Sequence, residues 1–127
     1  MSFIKTTAVA VALTMGLLLS AGVQAHPQLL SSTPAQGADS VAPKTIELHF
    51  SENLTTQFSG AKLIMTDMPG MPNSPMGVKA SVAAGSDPKT MIITPAAPLT
   101  TGTYKVEWRA VSSDTHPITG GLSFNVK

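Results

Sequence analysis

Cysteine is absent from the 127 residues. No disulfide can therefore staple the fold, no thiol can act as nucleophile, and a blue-copper electron-transfer centre, which needs a thiolate, is excluded. An excess of charge of either sign is missing too. Lys5 lies in a leader described below. The remaining seven of the eight Lys/Arg face all seven Asp/Glu, so the rest of the chain is close to neutral. No basic patch points to nucleic acid, and no acidic run points to disorder. Long stretches with apolar residues at i, i+3, i+4 and i+7 are also lacking, which removes the helical fold classes. The Gly-rich phosphate loop, the HExxH metalloprotease motif and the Gly-x-Ser-x-Gly elbow do not occur.

What is present begins with an export signal. Lys5 gives a positive start, Thr6 to Leu19 is apolar or small, and Val23-Gln24-Ala25 is a small-x-Ala cleavage site. The rival reading, a transmembrane anchor, fits less well: the run is short for a span and ends in Ser20, Gly22 and Gln24. The expected organisation is a secretory signal peptide over residues 1–25 and one domain over residues 26–127, about 100 residues, enough for a single apolar core.

Short alternating runs fill that domain. Ile46, Leu48 and Phe50 fall on one face; so do Tyr104, Val106, Trp108 and Ala110, and again Leu122, Phe124 and Val126. Ala61 to Met65, Val78 to Ala83 and Lys89 to Thr94 read as further strands, and clusters such as Gly85-Ser86-Asp87-Pro88 and Thr101-Gly102 bound them. Six or seven strands with one apolar face each predict an all-β Greek-key sandwich or barrel. Residues 66–77 carry three prolines and two glycines, so they form neither a helix nor a central strand.

That irregular stretch is rich in methionine: Met65, Met68, Met71 and Met76 fall within twelve residues. Core filling explains Met65 and Met91, which stand at strand-like positions. It explains the middle of the loop poorly, because Met68-Pro-Gly-Met71 lies among prolines and glycines and cannot bury a regular face. A sticky partner surface is one use of such a cluster. Binding of Cu(I) is the favoured one, since soft thioether sulfur selects Cu(I) over Zn, Fe or Mg.

Cleavage after Ala25 puts His26 at position one, where its α-amine and ring can chelate one metal together. Pro27 has no N–H, so Cu(II) cannot ionise and bind that amide, and further ligands must come from elsewhere in the fold. Asp114-Thr115-His116 offers them: in an extended stretch Asp114 and His116 project to one side, and with His26 they make a tetragonal N/O set suited to Cu(II). Ser112, Ser113, Asp114 and Pro117 are also ordinary turn formers, which is the plainer account of Asp114. His49, between Leu48 and Phe50, belongs on the outward face as a solvated residue. Glu52 is either a surface charge or a second carboxylate near His26.

At these residues the sequence resembles the CopC/PcoC family of periplasmic copper-resistance proteins. The resemblance runs from His26-Pro27 to Lys127. It is carried by His26-Pro-Gln-Leu, Phe50-Ser-Glu-Asn-Leu54, Phe58-Ser-Gly-Ala-Lys-Leu63, the methionine loop and Gly102-Thr-Tyr104. Most specific is Trp108-Arg-Ala-Val-Ser-Ser-Asp-Thr-His-Pro-Ile-Thr-Gly120. It implies a sandwich related to cupredoxins with copper sites at opposite ends. The implied Cu(II) ligands are His26, Asp114, His116 and Glu52; the implied Cu(I) ligands are Met65, Met68, Met71 and Met76. The loop histidine found in some members is missing here and Asn73 stands near its place, so the implied Cu(I) site is all-thioether and weaker.

The function expected is that of a monomeric periplasmic copper carrier or buffer, not an enzyme. Its partners would be copper ions and a membrane copper transporter or another periplasmic copper-resistance protein. Two rivals frame it. A copper-brace redox enzyme would share the N-terminal histidine, but Tyr104 and Trp108 read as core and leave little aromatic surface for a glycan. A metal-free immunoglobulin-like interaction module explains the strands alone.

Overall fold

A computed structural model describes residues 26–70 and 75–127. Nine strands follow in chain order: β1 (Leu29–Thr33), β2 (Asp39–Ser40), β3 (Ile46–Phe50), β4 (Gly60–Asp67), β5 (Met76–Val78), β6 (Ala80–Ala84), β7 (Thr90–Pro95), β8 (Gly102–Val111) and β9 (Pro117–Val126). They form two sheets, ordered β1-β3-β7-β6 and β2-β9-β8-β4-β5. All pairings are antiparallel except β2 with β9, which is parallel. The chain crosses repeatedly between the layers, as a Greek-key sandwich requires.

The alternating runs become the core. Ile46, Leu48 and Phe50 of β3 face Tyr104, Val106, Trp108 and Ala110 of β8 and Leu122, Phe124 and Val126 of β9, all buried. Each large side chain so placed contributes about 1.5–3 kcal/mol relative to exposure. Phe50 and Trp108 meet edge to face at 5.1 Å, and Tyr104 stacks on Phe124 at 5.7 Å. The Tyr104 hydroxyl donates to the Thr100 carbonyl at 2.7 Å, which pairs its polar tip inside the core.

Three features go beyond the sequence-based expectation. β1 and β2 are extra strands, too short or too polar on their exposed faces to show an alternation. The run expected as one strand over Val78 to Ala83 splits at Lys79, where the chain leaves one sheet as β5 and enters the other as β6. β9 begins five residues before Leu122, through Gly120 and Gly121. Glycine is needed at 120 because Trp108 lies directly opposite, and a Cβ there would collide with Trp108 Cζ2. Gly120→Ala is therefore expected to destabilise the fold by about 1–3 kcal/mol through overpacking, read as a lower midpoint in urea at unchanged slope. A midpoint equal to the parent's would show that the indole moves aside freely.

Candidate metal centre

β8 ends at Val111, and a tight turn returns the chain into β9 at Pro117. The Thr115 N–H donates to the Ser112 carbonyl at 3.0 Å and closes the turn. Asp114 Oδ1 accepts from the His116 N–H at 3.2 Å and from the Ser112 hydroxyl at 3.1 Å. Thr115 sits at φ 66°, a left-handed conformation that a β-branched residue adopts only at a cost of about 1–3 kcal/mol. The two candidate ligands are thus brought together by a turn, not by the extended stretch expected from their spacing. One Asp114 oxygen organises the turn, as the turn reading has it, and the other is turned away from it.

The remaining oxygen faces two histidines. Asp114 Oδ2 lies 2.7 Å from His26 Nδ1 and 3.7 Å from His116 Nδ1. The two imidazoles are 5.7 Å apart between centroids. One donor atom from each of the three residues falls within 4.8 Å of the others. Ligands about 2.0–2.2 Å from one metal stand roughly 2.8–3.1 Å apart at adjacent corners of a square and 4.0–4.4 Å at opposite corners, so the spacing is compatible with one ion. Oδ2 is also a buried acceptor: despite the short contact with His26 Nδ1 it accepts no well-aligned hydrogen bond among the described residues. The His26 ring lies against this oxygen, and a cation held between the two would take the place of that contact.

His26 reaches this place because the chain behind it is anchored. The Pro27 side chain is fully buried. Gln28 and Ser51 exchange two hydrogen bonds, Gln28 N–H to Ser51 Oγ and Ser51 N–H to the Gln28 carbonyl, both at 2.9 Å. His26 itself stays 54% exposed and His116 74%, so both rings are open to an incoming ion.

Burial alone would raise the Asp114 pKa. The His116 N–H, the Ser112 hydroxyl and the charges of His26 and His116 outweigh it and hold the carboxyl below its ordinary 3.8. A depressed carboxyl stabilises the fold above the unfolded value and loses that contribution as pH falls through the folded one. Asp114→Asn is accordingly expected to be less stable than the parent near neutrality. The two unfolding curves should converge in acid below pH 3.8; a gap that persists there would assign the loss to packing.

Glu52, half-buried in the segment after β3, is not among the residues whose donor atoms group with His26, Asp114 and His116. His49 faces outward on β3, with Nδ1 at 3.1 Å from Thr90 Oγ1 and Nε2 at 3.8 Å from Glu47. Pro27 and Ser112, read from the sequence as a residue without an amide N–H and as a turn former, also act as positioning residues: Pro27 is buried behind His26, and the Ser112 hydroxyl donates to Asp114 Oδ1.

The methionines lie at the other end of β8. Met65 on β4 is 8% exposed and belongs to the core, in line with core filling. It pairs across the sheet with Met76 of β5 on one side and Tyr104 of β8 on the other. Direct cross-strand partners share a face with Cβ atoms about 5 Å apart, so Met65 and Met76 start from adjacent positions on one face. Met76 is 48% exposed, and Met68 is half-buried against the core. Met71 and Asn73 lie outside the described residues.

Comparison with known proteins places these features in one family. The CopC domain model matches residues 29–127. Copper resistance protein C of Pseudomonas syringae pv. tomato is 72% identical over 112 residues, covering 88% of this chain and 89% of that protein. Copper resistance protein C of Escherichia coli is 56% identical over the whole of both chains. A crystal structure of PcoC, a methionine-rich copper resistance protein from Escherichia coli, superposes with a TM-score of 0.76 at 60% identity, covering 81% of this chain and 100% of that one. CopC from Methylosinus trichosporium OB3b superposes with a TM-score of 0.60 at 25% identity, covering 80% and 94%.

Proposed function

The chain belongs to the CopC domain family, and from that premise we propose that it is a periplasmic copper-binding carrier or buffer serving copper resistance. Cu(II) is held at His26, Asp114 and His116, with the α-amine of His26 completing the set once a leader is cleaved after Ala25. Cu(I) is held by thioethers of Met68, Met71 and Met76. The observation that carries the reading is the convergence of three donors: Asp114 Oδ2 stands 2.7 Å from His26 Nδ1 and 3.7 Å from His116 Nδ1, and both imidazoles are exposed.

The two donor sets differ in softness, so a change of oxidation state changes the preferred end of the molecule. The Cu(II) ligands must be unprotonated, and affinity falls as pH drops. Copper is the cargo, and nothing in the site calls for turnover. The copper is passed to a membrane copper transporter or another periplasmic copper-resistance protein.

The test is a titration of Cu(II) into the chain starting at a free His26, followed by electron paramagnetic resonance. One equivalent giving a tetragonal signal with nitrogen hyperfine structure supports the reading. A titration with no tight equivalent, or a spectrum unaltered by a residue added ahead of His26, refutes the N-terminal site.

A further inference from the structure

A two-sheet sandwich exposes four strand edges, and unpaired edges invite association unless something blocks them. Three are blocked here. β1 carries a register irregularity between Leu29 and Ser31 and runs into Pro34. β2 is two residues long and bears Asp39. β5 is three residues long and follows Pro75.

β6 has none of these devices. Its five residues, Ala80-Ser81-Val82-Ala83-Ala84, are uncharged and free of proline. They pair with β7 in unbroken register from Ala80↔Pro95 to Ala84↔Met91. Ser81 to Ala84 are exposed. Val82 pairs with fully buried Ile93 and so lies on the core side of the sheet, yet it remains 38% exposed. The sandwich is therefore open along this edge, and an apolar side chain that belongs inside is wet.

We propose that β6 is a self-association edge, where a second copy of this chain pairs antiparallel about a two-fold axis through Val82. The sequence is close to self-complementary about that residue. The axis sets Ala80 against Ala84 of the second copy, Ser81 against Ala83, and Val82 against Val82. All are small enough for the backbones to reach ladder distance on both faces. The flanking charges do not oppose this register. Lys79 falls opposite Gly85 of the second copy, at the start of a turn that carries both Asp87 and Lys89, so no like charges pair within the ladder. The result is a continuous eight-stranded sheet with the exposed face of Val82 covered. Five residues of edge bury well under the roughly 1,200 Å² of a stable complex, so the dimer is weak and forms at high local concentration.

About four-fifths of this chain, close to the length from His26 to Lys127, covers the whole of the solved relatives' chains, so the chain starting at His26 is the form to test. Because the chain has no cysteine, Val82→Cys supplies its single thiol, and a two-fold axis at 82 places it against its own copy. Disulfide-linked dimer is expected at least about tenfold faster than with Thr119→Cys, an exposed control on the other sheet. Val82→Lys and Val82→Glu should each sediment as monomers up to about 1 mM, while their equimolar mixture sediments as a dimer. A Val82 thiol that cross-links no faster than the Thr119 control, or a charge-swapped mixture that stays monomeric, overturns the proposal and leaves the edge to an extended segment of another protein.

Discussion

Replacing His26 by Ala in the cleaved chain, or adding one residue ahead of it, is expected to lower Cu(II) affinity by at least about a hundredfold. Outer-shell partners of metal ligands alone are worth about 10–100-fold, and His26 supplies two donors itself. Pro27 offers no amide nitrogen as a substitute. Without the His26 ring, Asp114 and His116 remain as a pair 3.7 Å apart with the rest of the coordination left to water. The fold should not notice. His26 is more than half exposed, and the segment is held by the buried Pro27 and by the Gln28–Ser51 exchange. Thermal unfolding of the metal-free variant should stay within about 0.5 kcal/mol of the parent. Competition against a chromophoric Cu(II) chelator reads the affinity; a change of less than threefold would end the case for this centre.

The methionines should separate into two kinds. Met68→Leu with Met76→Leu keeps volume and hydrophobicity, so stability changes by less than about 1.5 kcal/mol. It removes two soft donors, and Cu(I) affinity is expected to fall by about tenfold or more in competition with a Cu(I)-specific chromophore. Met65→Ala does the opposite. The side chain is packed in the core between β5 and β8, and its loss should cost about 2–5 kcal/mol of unfolding free energy. Should Met68 and Met76 prove irrelevant to Cu(I), the exposed methionines would be better read as a contact surface.

The sandwich was legible because its central strands obey a strict alternation. Ile46 to Phe50 and Tyr104 to Ala110 each put large apolar side chains on one face, and both faces are buried as expected. Edge strands were harder, since an edge buries little on either side; β1, β2 and the break at Lys79 left no periodic trace. At the site, the candidate residues and their grouping came from chemistry and from resemblance, but the turn that groups them was not legible. No spacing rule predicts that Thr115 takes a left-handed conformation, or that Ser112 fixes one carboxylate oxygen and leaves the other bare. Long-range packing sets those details.

β8 is a strut. Its ten residues run from Gly102, beside Asp67 and the methionine segment, to Val111, just before the histidine turn. At about 3.3 Å per residue the two ends stand roughly 30 Å apart. The Debye length at physiological ionic strength is about 8 Å, so a charge arriving at one end is all but invisible at the other. Occupancy of the two ends should therefore be thermodynamically independent, each filling with the same affinity whatever the state of its counterpart. A partner engaged at the methionine tip leaves the histidine tip free, so one molecule can be loaded and unloaded by different proteins at the same time.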